Sequence, residues 1–473
     1  MGNEPGLRPR RGRPMPRRRG SERRSAAPTR TRLLALRVLE RVQRAGAYAD
    51  VLLHSSLSRS DLPGPDRAFA TDLVYGTLRW RGRLDYLLGK CLERDLEKLE
   101  PLVATALRLG AYQIVCARVP SASAVDESVR CVRAAGAERA TGLVNAVLRR
   151  LAAEHAQIPE PALEDDPLGH LMHSLSLPQW IAAAWIEAFG PEEAAALARA
   201  SNEAPPLTIR ANRTLTTRAA LLETLRERFP EAQACRFAAD GIVLGRRGNP
   251  SLDTAFRDGL FTVQDEASQL VVALLDPRPG ERVLDTCAAP GGKATAIAER
   301  VGETGSVVAL DRHERRLDLA RRAARRLSLR RITCRVADLS RALRDVVPLD
   351  FDRVLVDAPC SGLGTLRRNP DARWRLRPGD PSRLADAQGA ILRNAAAALR
   401  PGGLLVYSTC TLPREENEAV IEAFLGEHLD YAISPADEAP EEVRSLMDPS
   451  GFMRCLPHKH DMDGFVAVRI RRS

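Results

Sequence analysis

The chain has 473 residues, 44% of them apolar and 28% charged, enough to bury a sizeable core in two to four domains, which excludes a single small module. Its formal charge is +10, yet residues 1–30 alone carry +8, from ten arginines against Glu4 and Glu22, so residues 31–473 are nearly neutral at +2. A basic arm on a near-neutral body points to a polyanionic partner, because each neutralised phosphate releases counterions, with a merely solubilising tail as the plainer alternative.

The arm is interrupted by Pro5, Pro9, Pro14, Pro16 and Pro28, which deny it both the apolar core of a secretory signal and the amphipathic helix of a transit peptide. No run approaches the eighteen or so apolar residues that span a bilayer, so no membrane partner is expected. The nine cysteines include no Cys-x-x-Cys pair and total an odd number, which points away from a disulfide framework or a zinc site and towards a metal-free protein of the reducing cytoplasm.

After the tail at 1–30, apolar residues recur at three and four, as in Leu36, Leu39 and Val42 and again in Leu102, Val103, Ala106 and Leu107, predicting an all-helical domain over 31–155. A stretch rich in proline and acid predicts a linker over 156–169. A helix over 178–197 and a strand over 207–210, separated by Pro205-Pro206, predict a small α/β module over 170–250. From 251 to 473 short apolar runs at 282–285, 307–311, 332–336, 353–357 and 404–408 alternate with helical stretches. That rhythm predicts a parallel sheet with right-handed crossovers, a doubly wound α/β domain.

Open sheets of this kind hold ligands beyond the carboxyl ends of their strands. The first such place reads Asp285, Thr286, Cys287, Ala288, Ala289, Pro290, Gly291, Gly292, Lys293. Small residues and two glycines let a ligand approach the backbone, and the following helix offers unpaired N–H groups to a carboxylate. The spacing fits neither a dinucleotide nor a triphosphate loop. Asp311 ends the second strand, where an acid can accept from ribose hydroxyls, and Asp338 follows the third, placed to receive an adenine amino group. Lys293 is one of only four lysines against 67 arginines, which suggests a place for a compact ammonium.

Two cysteines also follow strand ends, Cys360 in Asp357-Ala358-Pro359-Cys360 and Cys410 in Ser408-Thr409-Cys410-Thr411. A lone cysteine is usually a small buried hydrophobe, but two at the mouth of one sheet beside an adenosyl pocket suit nucleophilic chemistry. A helix expected near Pro413 would favour a Cys410 thiolate. An unactivated pyrimidine needs such a thiolate, since carbon-5 becomes nucleophilic only after addition at carbon-6. Arg367, Arg368, Arg373, Trp374 and Arg375 form a basic stretch with one aromatic, suited to phosphate contact and base stacking or else to a solvated face.

These motifs resemble the RNA 5-methylcytosine methyltransferases of the Sun family. The resemblance implies a Rossmann-like S-adenosylmethionine-dependent domain in which Cys287 to Lys293, Asp311, Asp338 and Asp357 meet the cofactor. It further implies Cys410 as nucleophile, Cys360 as the cysteine that resolves the adduct, and Asp357 as a hydrogen-bond partner of the flipped cytosine. The runs 367–371 and 460–465 look like further signatures of that family, and 67–79 with 142–150 resemble a NusB-like RNA-binding domain fused to its small-subunit ribosomal RNA branch. Ala294 and Thr411-Leu412 depart mildly from the pattern, and residues 1–30 match none of it.

The expectation is thus a monomeric, cytoplasmic 16S rRNA cytosine-C5 methyltransferase, with small-subunit rRNA as partner. A different RNA substrate, tRNA or large-subunit rRNA, is one alternative, and a non-catalytic RNA-binding scaffold is another. Charge does not separate RNA from DNA, and a DNA-type enzyme would use Cys360 as nucleophile instead.

Overall fold

The computed structural model describes residue 2 and residues 29–473, except 247, 342, 344–346 and 348. The arginine-rich segment 1–30 thus lies almost wholly outside the described residues.

Seven helices, Arg30–Ala45, Ala49–Ser58, Gly64–Arg79, Arg81–Cys91, Pro101–Val115, Ser121–Ala134 and Thr141–Glu154, build the helical part around one core. Pro101–Val115 is apolar on all sides and is buried along its length, as a central helix must be. Its one charged side chain, Arg108, is held by both oxygens of Asp85 at 2.6 and 3.0 Å. Gly76 is required where this helix crosses Gly64–Arg79, because a Cβ there would lie 2.0 Å from the Tyr112 ring.

The middle part is an antiparallel sheet of β1 (Thr208–Ala211), β2 (Gln233–Ala234), β3 (Gly241–Val243) and β4 (Phe261–Val263), ordered β2-β3-β1-β4. Ile209, Leu221, Leu225, Ile242 and Phe261 form its core. Two details depart from the sequence reading. The helix expected over 178–197 is two helices, Gln179–Phe189 and Pro191–Ser201, broken where Gly190 takes φ 77° ahead of a proline at the new N-terminus. β4, which a boundary at 250 would give to the following domain, pairs with β1, because Phe261 belongs to this core.

The C-terminal part is an eight-stranded sheet of β5 (Arg282–Asp285), β6 (Ser306–Asp311), β7 (Ile332–Val336), β8 (Phe351–Asp357), β9 (Leu399–Thr409), β10 (Tyr431–Ile433), β11 (Phe452–Cys455) and β12 (Phe465–Arg472). The order is β10-β12-β9-β8-β5-β6-β7, with β11 beside β12. β9, β8, β5, β6 and β7 run parallel, whereas β12 runs antiparallel to β9, and β10 and β11 each pair antiparallel with β12. All five strands read from the sequence are here. Strand order reverses between β5 and β8, which opens a crevice at their carboxyl ends. Among the described residues no helix is long and apolar enough to cross a membrane.

The stretch 367–375 is turned largely inward. Arg367 is 1% and Arg373 0% exposed. Arg367 and Arg368 both grip Asp463, at 3.1 and 2.6 Å, and Arg368 also takes Asp265 at 2.7 Å. Arg373 donates to the carbonyls of Ser176 (3.1 Å) and Ser201 (3.3 Å) and to Asn202 Oδ1 (2.9 Å). Trp374 Nε1 donates to the Leu78 carbonyl at 2.6 Å, and Arg79 to that of Arg367 at 2.9 Å. A guanidinium is buried only where acceptors replace its water. Arg373, Trp374 and the Arg367 carbonyl therefore join the C-terminal part to the helical part, and the phosphate-contact role expected for this stretch does not hold for the buried Arg367 and Arg373.

Replacing Arg373 by leucine would strand several buried acceptors, and a loss of about 2–4 kcal/mol is expected. Chemical denaturation should show it, and a change below about 0.5 kcal/mol would contradict the joint described.

Candidate active site

The loop after β5 is fastened to both neighbouring strands. Thr286 donates its N–H and hydroxyl to the Leu355 carbonyl at 3.0 and 2.9 Å, and Ala288 N–H donates to that of Leu310 at 2.8 Å. Ala289-Pro290 is a cis peptide, and Gly291 has φ 110° with Ala320 Cα only 2.7 Å from where a Cβ would sit. Only glycine fits. Helix Gly292–Val301 then starts without a side-chain cap, leaving first-turn N–H groups for an anion. The small sheet steadies this start: buried Arg210 donates to the Gly292 carbonyl at 2.9 Å, Thr295 Oγ1 at 3.1 Å and Glu299 Oε1 at 2.7 Å. Burial pushes the Cys287 thiol up, so it stays protonated and is no nucleophile.

Asp311, at the end of β6, is 7% exposed and accepts the His313 N–H on Oδ1 at 2.8 Å. Asp338, just past β7, is exposed, and the Ser340 hydroxyl and N–H, at 2.7 and 3.1 Å, hold its pKa below the usual range. Ala337 N–H donates to the Asp311 carbonyl at 3.1 Å, which puts the two acids at neighbouring strand ends.

Asp357 ends β8. Its Oδ2 receives Lys293 Nζ at 2.7 Å and its Oδ1 the Ser408 hydroxyl at 2.9 Å, so one carboxylate joins the ends of β5, β8 and β9. Lys293 also stands 5.0 Å above the Phe465 ring. Asp285 is fully buried beneath this pair; burial first, then the charge of Asp357, raises its pKa to about 7.

Cys360 Sγ and Cys410 Sγ are 3.3 Å apart and not disulfide-bonded. The hydrogen bond with Cys410, and then burial, raise the Cys360 pKa well above its ordinary value, and either sulfur can donate in that bond. Both loops are pinned. Gly364 N–H donates to the Cys410 carbonyl at 3.0 Å and Ser361 Oγ lies 2.7 Å from Thr411 Oγ1. Buried Glu416 accepts from Ser361 N–H and Gln388 Nε2, each at 2.9 Å. Asn417 accepts the Thr409 hydroxyl at 2.6 Å and donates to the Pro413 carbonyl at 2.8 Å. A Cβ on Gly364 would lie 2.0 Å from the Gly464 carbonyl, so the segment 460–465 closes directly over this loop.

The helix expected to polarise Cys410 is absent. Arg414–Glu416 is a single 3-10 turn, and helix Glu418–Glu427 starts only after Asn417. A helix dipole fades within one turn, so the neighbour that acts on Cys410 is the Cys360 thiol. The sequence reading singled out Asp311, Asp338, Asp357, Cys360 and Cys410 but gave no role to Asp285, Ser408, Glu416 and Asn417. The first two lie inside quoted motifs and the last two a few residues beyond one, yet a role depends on partners that spacing alone does not disclose. Among the described residues no group of three or more His, Cys, Asp or Glu could hold a metal ion.

The family model of the 16S rRNA methyltransferase RsmB/F matches residues 272–471, that of the NusB family residues 29–153, and that of the RsmF/B-like ferredoxin-like domain residues 177–249. The chain is 37% identical to the probable ribosomal RNA small subunit methyltransferase B of Bacillus subtilis, over 94% of this chain and 99% of the relative. It is 39% identical to the ribosomal RNA small subunit methyltransferase B of Thermus thermophilus, over 93% and 97%. The solved structure of PH0851 shares the fold, with a TM-score of 0.77 over 93% of this chain and 99% of that one at 24% identity. A methyltransferase homologue from Pyrococcus horikoshii matches at a TM-score of 0.56 and 28% identity, over 65% and 99%. A helical NusB-like domain, a ferredoxin-like module and a methyltransferase domain thus follow one another in a chain that belongs to the 16S rRNA methyltransferase RsmB/F family.

Proposed function

We propose that the protein methylates carbon-5 of a cytosine in 16S rRNA through a covalent bond to Cys410. The observation that carries this is the pair of sulfurs 3.3 Å apart at the ends of β8 and β9, beside the Lys293–Asp357 pair. The residues fit S-adenosylmethionine: an uncapped helix start beside Gly291 suits its carboxylate, and Asp311 and Asp338 suit its ribose and adenine. Cys287 to Lys293, Asp311 and Asp338 would hold it, with Asp357 on the side facing the cytosine. When bound it supplies an electrophilic methyl group.

The chain's own residues do the rest. A target cytosine must leave its stack to reach the crevice. There the Cys410 thiolate, stabilised by the Cys360 S–H, adds to carbon-6 and makes carbon-5 nucleophilic. Asp357, fixed by Lys293 and Ser408, accepts the N–H of the exocyclic amine and, once N3 takes up a proton from water as negative charge develops on the ring, the N3–H as well. Once the methyl group is on carbon-5, the proton of that carbon leaves to a water beside Cys360, or to the Cys360 sulfur after its own proton has passed to that water. The surroundings that raise the Cys360 pKa make its thiolate, once formed in this way, a stronger acceptor. Loss of this proton expels Cys410.

The two cysteines serve different steps. Cys410→Ala is expected to abolish both turnover and covalent complex. Cys360→Ala should still attack but resolve slowly, so that a denaturant-resistant protein–RNA adduct accumulates on a gel. An adduct from Cys410→Ala and none from Cys360→Ala would exchange the roles.

Asp311→Ala should weaken S-adenosylmethionine binding at least tenfold by calorimetry, the loss expected for hydrogen bonds to a charged group worth roughly 1.5–3 kcal/mol. Unchanged affinity would remove Asp311 from the cofactor site.

A further inference from the structure

With Arg367 and Arg373 buried and Arg368 paired to Asp265 and Asp463, a larger set of unpaired cations for the RNA backbone has to be sought elsewhere. Between 312 and 335 stand ten arginines against Glu314 and Asp318, a net of +8, whereas residues 31–473 together total only +2. The remainder of those residues is therefore net acidic, at −6. The basic segment comprises helix Glu314–Arg326 and β7, the strand at the sheet's edge, and it adjoins Asp311 and Asp338.

The arginines of this segment divide by what they touch. Arg316 donates to the Ala289 carbonyl at 3.1 Å, Arg321 pairs with Asp318 at 2.8 Å, and Arg326 donates to the carbonyls of Phe256 and Phe261 at 2.6 and 2.9 Å. These hold the fold. Arg315, Arg322, Arg325, Arg330 and Arg331 are exposed, and none has a side-chain hydrogen bond or ion pair among the described residues. Positions 315, 322 and 325 are spaced by seven and three, which puts them on one helix face along about 15 Å. Like charges at such spacing destabilise a helix unless an anion neutralises them.

We propose that this arginine stripe is a docking surface for the phosphodiester backbone of the RNA that flanks the target nucleotide. The proposal rests on the RNA methyltransferase reading. Charge complementarity carries it: freely rotating guanidinium groups without internal partners, concentrated on one face of an otherwise acidic body and adjoining the site, match a repeated monoanion whatever its sequence.

The test is a full-length variant with Arg315, Arg322, Arg325 and Arg330 all changed to glutamine, beside one with all four changed to lysine. Affinity for a 16S rRNA fragment is measured from 50 to 200 mM salt, together with methyl transfer to a minimal oligonucleotide too short to reach the stripe. The glutamine variant should bind the fragment at least tenfold more weakly at low salt, with a log–log salt slope shallower by about 3, at roughly 0.7–0.9 for each phosphate no longer neutralised. The lysine variant should keep the slope, and methyl transfer to the oligonucleotide should be unchanged in both. An unaltered slope in the glutamine variant, or an equal loss in the lysine variant, would overturn the proposal. Failure of the wild type to methylate any RNA would instead sink the reading on which the proposal depends.

Discussion

The carboxylate of Asp357 takes a lysine on one oxygen and a serine hydroxyl on the other; the lysine comes from the helix that follows the strand on one side, and the serine from the strand on the other. The rest of the site depends on that three-way join. β5 and β8 are the strands between which the sheet order reverses, so a crevice opens there by topology alone. Lys293 fixes the loop after β5 to one wall, and Ser408 fixes to the other the strand that carries Cys410. Asp285, buried just below, feels both partners: Asp357 raises its pKa and Lys293 lowers it, so the three groups are electrostatically linked.

Preorganisation extends outward in shells. Arg210 carries the ferredoxin-like sheet onto the helix that follows the loop after β5. Glu416, Asn417 and Gln388 lock the two cysteine loops from behind, and the Gly364–Gly464 contact closes the chain's last segment over them. Beyond these, Arg373 and Trp374 tie the NusB-like domain, and Arg367 and Arg368 the 460–465 segment, to the methyltransferase domain. The roles proposed for two sulfurs held 3.3 Å apart without a disulfide need such a frame, because a displacement of about 1 Å would undo either.

Much of this was legible in the sequence because strand ends are. Short apolar runs at 282–285 and 332–336 coincide with β5 and β7, and chemistry-bearing residues directly after such runs must gather at one edge of a parallel sheet. What the sequence hid is whatever distant residues decide. A run of arginines at 367–375 reads the same whether solvated or buried, since its partners Asp265 and Asp463 lie about a hundred residues away on either side. The helix after Cys410 is deferred because the Asn417 side chain is engaged by Thr409 and Pro413. β4 joins the smaller sheet because Phe261 fills that core, a choice made by packing rather than by propensity.

The chemistry claimed for the cysteine pair leaves its mark on the product. Nucleoside mass spectrometry and bisulfite sequencing of 16S rRNA, from a strain lacking this gene and from one complemented with it, read that mark directly. The account predicts that 5-methylcytidine disappears at a cytosine in the deletion strain and returns on complementation with the wild-type gene but not with Cys410→Ala. Loss of a methyl group from an exocyclic amine or a ribose, or an unchanged 16S rRNA with loss in tRNA or large-subunit rRNA, would contradict it.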